Sequence, residues 1–239
     1  MRGAAAIILS FTLMIACGTG HAKTQRAKEH TLPAGVDHLV YATPNLAAGI
    51  AQVEHLLGVK AIPGGQHPGG GTRNALVGLG RETYLEIIGP DPEQPNPALP
   101  RRFTIDTLKE SKLVTWAEKS SDLESLVAKA RSHNIDLGRV QDGSRKRPDG
   151  VLLAWRLTVS PALTADGIVP FFIDWGKTPH PAAPLPPGCE LISLSAKHPD
   201  AKRVQDMLTA LGLNMRVDSG STPELIATIR TPKGEVELR

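Results

Sequence analysis

Three times along the chain an apolar strand runs into a short polar break and then into a helix with one apolar stripe. The helices open at Asn45, Asp122 and Asp200, 77 and 78 residues apart. The first strand is Val36-Asp37-His38-Leu39-Val40-Tyr41-Ala42, and Leu46, Ile50, Val53, Leu56 and Leu57 share one face of its helix before Gly58 ends it. The second unit begins at Leu113-Val114-Thr115-Trp116-Ala117, with Leu123, Leu126, Val127 and Ala130 as its stripe and Ser121 with Glu124 as a capping box. The third begins at Glu190-Leu191-Ile192-Ser193-Leu194-Ser195, and Val204, Met207, Leu208 and Leu211 face inward. Strand-like runs follow each helix, so the repeated element order is βαβββ. One such unit cannot cover its own sheet, and it must pack against another.

The remaining boundaries follow from composition. Residues 1–22 are a leader: Arg2 precedes an apolar run of thirteen residues, Ala4 to Ala16, too short to span a bilayer. Two processing readings compete. Gly20-His21-Ala22 suits a general signal peptidase, whereas Met14-Ile15-Ala16-Cys17 is similar to a bacterial lipobox, with lipid on Cys17 and residues 23–31 as a tether. Both imply export, to the periplasm or to a lipid-anchored place in the envelope. Membrane association is then expected only through Cys17. Pro179 to Pro187 reads as a stiff spacer, dividing a paired-unit domain (32–183) from a third unit (184–239). The third unit is expected to extend the sheet or to pair with another subunit as a homodimer. Cys17 and Cys189 are the only cysteines, so a processed chain has no intrachain disulfide, and Cys189 is expected to be buried. With net charge +3 and basic residues scattered rather than striped, nucleic acid is not an expected partner.

The chemistry concentrates between Gly64 and Pro90. A glycine-rich segment, Gly64-Gly65-Gln66-His67-Pro68-Gly69-Gly70-Gly71-Thr72-Arg73-Asn74, is followed by Tyr84-Leu85-Glu86-Ile87-Ile88, whose alternation sets Glu86 among large aliphatics. A buried carboxylate needs a partner or a metal. His38 sits likewise among valines on the first strand. If the two meet inside a curved sheet, imidazole plus carboxylate suits Zn, Mn or Fe; a plain His38–Glu86 hydrogen bond is the alternative. His67 is placed to act as acid or base, because flanking glycines let a ligand approach. The glycine run lacks the lysine of a nucleotide-binding loop. Arg145 and Arg147 read as loop cations and Arg156 as a strand cation, all able to clamp an anion. Arg156, inside Leu152-Leu153-Ala154-Trp155-Arg156-Leu157, is the best of them for a small anionic molecule. Asn74, Trp155 and Trp175 complete the expected ligand-contacting set.

The order of strands, with His38 on the first and Glu86 on the fourth, resembles the vicinal oxygen chelate superfamily. Within it, Val36 to Val40, Gly64 to Asn74, Tyr84-Leu85-Glu86, Ser144 to Gly150, Ala154 to Leu157 and Pro170 to Gly176 with Pro179-His180-Pro181 resemble the glyoxalase-like domain family, over about Leu32 to Ala183. The resemblance implies an α+β fold of paired βαβββ modules whose curled mixed sheet surrounds a cavity, with the third module appended. It also implies metal ligands on the first and last strands of each module. Those are His38 and Glu86 in the first. In the second, Thr115 stands where a ligand belongs and Asp174 lies on the last strand. The implied set is His38, Glu86 and Asp174. That departs from the four-ligand glyoxalase I pattern and from the two-histidine pattern of extradiol dioxygenases, and argues against lactoylglutathione chemistry. The expected activity is a divalent-metal-dependent lyase, isomerase or ring-modifying enzyme, with Glu86 and His67 catalytic. The alternatives are a non-catalytic protein that sequesters a small molecule and an envelope scaffold.

Overall fold

The computed structural model describes Met1 and residues 32–239; the leader, Cys17 and the tether lie outside the described residues. The chain runs β1 (Val36–Ala42), α1 (Leu46–Leu57), β2 (Ile62–His67), β3 (Thr72–Gly78), β4 (Tyr84–Pro90), β5 (Lys112–Lys119), α2 (Leu123–Ser132), β6 (Arg139–Lys146), β7 (Leu152–Val159), β8 (Phe171–Asp174), β9 (Glu190–His198), α3 (Ala201–Leu211), β10 (Arg216–Ser219), β11 (Glu224–Thr231) and β12 (Gly234–Leu238).

Each helix starts where a short polar side chain satisfies its first free N–H groups. Asn45, Asp122 and Asp200 accept from the backbone N–H of Ala48, Ser125 and Arg203. The second cap is therefore Asp122 rather than a Ser121–Glu124 box, and Glu124 is turned toward Arg156 instead. Gly58 and Gly212 close α1 and α3 in the left-handed conformation.

The first two units are wired alike. The eight-stranded sheet has the order β2-β3-β4-β1-β5-β8-β7-β6, with β1 parallel to β4, β5 parallel to β8, and an antiparallel β1–β5 junction between the halves. The sheet curls until its two edges meet. Arg145 of β6 donates to the Gly64 carbonyl of β2 across the seam. Gly64 and Gly65, expected in a loop, are strand residues for this reason. A Cβ on Gly64 would overlap the Asn74 side chain, and one on Gly65 (φ 135°) would lie 2.4 Å from the Lys146 carbonyl oxygen. Likewise Arg145 belongs to a strand and not to a loop.

The third unit repeats the element order but not the wiring. Its sheet is β10-β9-β11-β12, separate from the first. It packs on the face away from the cavity: Leu191, Leu194, Ala196, Ala227 and Ile229 share one core with Leu39, Tyr41 and Trp116 and with Val53 and Leu57 of α1. Trp116 is fully buried and its indole N–H donates to the Ile168 carbonyl at 2.9 Å. Each large apolar side chain so buried contributes about 1.5–3 kcal/mol. Cys189 lies in this core as a free thiol.

Candidate functional site

On a regular strand neighbouring side chains point to opposite faces. The β1–β5 register shifts between Val36 and His38, and this bulge turns Asp37 and His38 toward each other. Asp37 Oδ1 lies 2.7 Å from His38 Nδ1, while Oδ2 receives the Trp175 indole N–H and His180 Nε2, each at 3.0 Å. The Ala182 N–H donates to His180 Nδ1, so His180 carries its proton on Nε2 and donates it to Asp37. Burial of Asp37 alone would raise its pKa. The hydrogen bonds from His180 and His38 overcome that and hold the carboxyl well below the ordinary range. An ionised carboxylate only accepts, so His38 donates from Nδ1, and its Nε2 is the ring nitrogen turned toward the cavity.

Tyr84, Glu86 and Ile88 of β4 line that cavity, which has a volume of about 390 Å³. Glu86 Oε1 accepts from Asn74 Nδ2 at 2.5 Å, and the Asn74 carbonyl oxygen is buried without a partner. Glu86 stands between two imidazoles: Oε2 is 3.8 Å from His38 Nε2 and Oε1 is 3.7 Å from His67 Nε2. His38 stacks on Tyr84 with ring centroids 4.6 Å apart, and His67 Nδ1 lies 3.0 Å from Thr72 Oγ1. Burial pushes the Glu86 carboxyl up, but His67, His38, the Asn74 amide and Arg145 together bring it below its ordinary value. Burial, with help from Arg145 and Arg102 and against the pull of Glu86, lowers His67. The site thus pairs an ionised carboxylate with a neutral imidazole. The second unit gives an apolar wall, Trp155, Leu157, Val159, Phe171, Ile173 and Trp175, and a polar one on β6, with Gln141, Asp142, Ser144 and Arg145.

The fold brings His38, His67, Asn74, Glu86, Arg145, Trp155 and Trp175 to one cavity. The rings of Trp155 and Trp175 are 5.3 Å apart. Three expected residues are elsewhere. Arg156 is corrected from the anion clamp to an exposed cation. Alternation on β7 puts Leu157 and Trp155 inside and Arg156 outside, on Glu124 of α2 and near Asp142. Asp174 faces the same outer side, as the register partner of Arg156, and accepts from the Gly176 N–H at 2.8 Å. Arg147 pairs with Asp149 beyond the end of β6. Thr115 lines a neighbouring chamber instead.

Asp37, His180 and Arg102 escaped the sequence reading. The Asp37-His38 dipeptide was visible, but the bulge that joins the pair was not. His180 lay inside the presumed spacer, which in fact folds back onto β1. Arg102 is the last residue of the proline-rich run Asp91 to Arg102, which reads as a linker with nothing to mark a cavity residue.

The donor set decides how a divalent ion would fit. His38 Nε2 and Glu86 Oε2 are two acceptors facing one another with no donor between them, and Asp37 orients the imidazole from behind as metal-bound histidines require. These two fit as a ligand pair. Asp174 faces away, so the three-ligand set does not form, and among the described residues no group of three or more His, Cys, Asp or Glu side chains is arranged to hold a metal.

Comparison with known proteins bears on the fold and on the family. No curated protein matches the chain. A hypothetical protein from Staphylococcus aureus superposes with a TM-score of 0.62 at 14% identity, over 83% of this chain and 92% of that one. A methylmalonyl-CoA epimerase from Mycobacterium tuberculosis gives 0.40 at 20% identity, over 60% and 89%. A Streptomyces coelicolor methylmalonyl-CoA epimerase in complex with 2-nitronate-propionyl-CoA gives 0.40 at 18%, over 58% and 95%. The family model described as "Glyoxalase-like domain" matches residues 36–212, past the spacer and through α3. With that match spanning most of the chain, and with His38 and Glu86 both facing the cavity of a twice-repeated βαβββ sheet, the chain belongs to the glyoxalase-like domain family.

Proposed function

We propose that this protein is an enzyme that moves a proton on a small organic acid, a lyase or isomerase by reaction class. One observation carries the reading: the Glu86 carboxylate is set between two imidazole Nε2 atoms, at 3.8 and 3.7 Å, in a cavity that also presents the guanidinium groups of Arg145 and Arg102. Among the described residues neither guanidinium has a carboxylate within ion-pair distance, so an anionic ligand would supply the missing charge.

In this reading Arg102 at the cavity mouth and Arg145 in the seam hold the ligand's anionic group. His67, kept neutral by its surroundings, donates Nδ1–H to Thr72 and takes the substrate proton on Nε2. The Glu86 carboxylate then stabilises the imidazolium so formed. The arginines stabilise the enolate-like charge on the substrate, and the apolar side chains of Trp155, Leu157, Phe171 and Ile173 exclude water from that side. A divalent ion held by His38 and Glu86 would supply further polarisation of a substrate oxygen. Export to the periplasm or to a lipid anchor at Cys17 belongs to the same proposal. The mature mass tests it, by a diacylglyceryl adduct on Cys17 or an N-terminus at Lys23.

The test of function is exchange of the α-hydrogen of small carboxylic acids in deuterated buffer, followed by NMR alongside metal analysis of the same preparation. Wild type should exchange at least one acid, and His67→Ala and Glu86→Gln should lose exchange while still binding it. An acid that binds wild type without exchange favours the sequestering protein. Absence of binding by any acid overturns both readings.

A further inference from the structure

A second chamber adjoins the site. Its volume is about 620 Å³, and Leu99, Pro100, Ala162, Leu163, Val169 and Pro170 form most of its apolar wall. Arg102, Phe103, Val159 and Phe171 line both chambers, so these four residues form the neck between them. The Phe103 and Phe171 rings close that neck, with centroids 5.9 Å apart, and the Arg102 guanidinium lies over both, 4.9 Å from one centroid and 5.7 Å from the other.

The segment that carries the neck is held in an unusual way. Phe103 and Thr104 have φ of 60° and 57°, a left-handed conformation uncommon for bulky side chains. Arg101 clamps it from one side, donating to the Gly71 carbonyl at 2.7 Å and the Pro95 carbonyl at 3.0 Å and pairing with Asp106 at 2.7 Å. Ile105 anchors it from the other, buried against Val40 and Ile88. Phe103 lines the neck and also packs on the small core of Val40, Ile88 and Ile105.

We propose that the ligand is an organic acid with an apolar tail, whose anionic head lies at Arg102 and whose tail passes Phe103 into the second chamber. This rests on the reading of the first cavity as an anion site and adds the class of substrate. Arg102 holds the head on the first-cavity side of the neck, together with Arg145, so the α-carbon bonded to the head stays within the first cavity and the rest of the chain runs on into the apolar second chamber. Phe103 thereby becomes a specificity-determining residue, since its ring must turn aside for the tail to enter.

Calorimetric titration with acetate, butanoate, hexanoate and octanoate tests the proposal. In wild type the affinity should rise about threefold for each methylene that enters the chamber, so octanoate should bind at least tenfold more tightly than butanoate. Ala162→Trp, at an exposed position that lines the second chamber and not the first, should abolish that gain and leave acetate binding unchanged, which also reports that the variant is folded. Phe103→Ala should admit 4-phenylbutanoate at least tenfold more tightly than wild type does. Short acids that bind with no gain along the series, or a gain untouched by Ala162→Trp, would overturn this inference alone. Failure of every acid to bind overturns the anion site, and this inference with it.

Discussion

His38 and Asp37, adjacent in the chain, are hydrogen-bonded side chain to side chain at 2.7 Å, because a bulge in β1 turns both to one side. The pair sets the tautomer of His38 and ties the strand to the Trp175 and His180 segment, more than 130 residues later. The His38 imidazole is thus oriented from behind by a carboxylate that does not line the cavity.

Asp37→Asn should cost about 2–4 kcal/mol of stability by urea denaturation, since buried donors on Trp175 and His180 lose a charged acceptor. The wild-type carboxyl is held well below its unfolded value, so its contribution is present above pH about 4 and is lost as the pH falls further. The variant should therefore show less acid sensitivity below pH 4. Equal acid sensitivity would contradict the network.

Glu118 should make the opposite contribution. It is buried beside Gly35 with one oxygen lacking a partner, and burial pushes its carboxyl up to about 7. A carboxyl raised above its unfolded value favours the fold while protonated, so stability should decline as pH rises from about 4.5 to 7 and level off beyond. The decline is of the order of 3 kcal/mol. Glu118→Gln should flatten it, as read from melting temperatures at pH 5 and pH 8.

Gly65→Ala should open the seam between β2 and β6. The left-handed backbone and the Lys146 carbonyl leave no place for a methyl group, and the expected cost is about 1–3 kcal/mol. Because Arg145 bridges the same seam, the variant should also lose anion affinity, measurable by titration with acetate. A variant as stable as wild type, with unchanged affinity, would mean that the edges do not meet in solution.

Arg145→Lys and Arg156→Ala should separate cavity from surface. The first keeps a charge but loses the planar fork that spans the seam, and should weaken acetate binding about tenfold or more. The second removes only exposed ion pairs on the outer face, so binding and melting temperature should stay at wild-type values. Loss of binding in Arg156→Ala alone would reverse the assignment.

The repeat, the three helix caps and the two polar residues on apolar strands were legible because they depend on spacing and on local hydrogen bonding. Asn45, Asp122 and Asp200 cap helices whatever lies around them. His38 and Glu86 stood out because their neighbours are aliphatic. The inward or outward side of Arg156 and Asp174 was not legible, since Leu152-Leu153-Ala154-Trp155 and Phe171-Phe172-Ile173 are apolar at successive positions and so give no parity. The fourth-strand position of the second module is therefore filled by apolar side chains on the cavity side, and the third metal ligand implied by the resemblance is missing.

The amino-acid sequence by itself determined that this chain makes repeated βαβββ units and that His38, His67 and Glu86 belong to a site, because periodicity and the cost of burying charge act locally. Tertiary structure alone decided that a bulge would join Asp37 to His38, that Arg102 and His180 would return to the same cavity, and that the third unit would form its own sheet. Those outcomes depend on strand register and on how the curled sheet closes, and both are settled by packing between segments far apart in the chain.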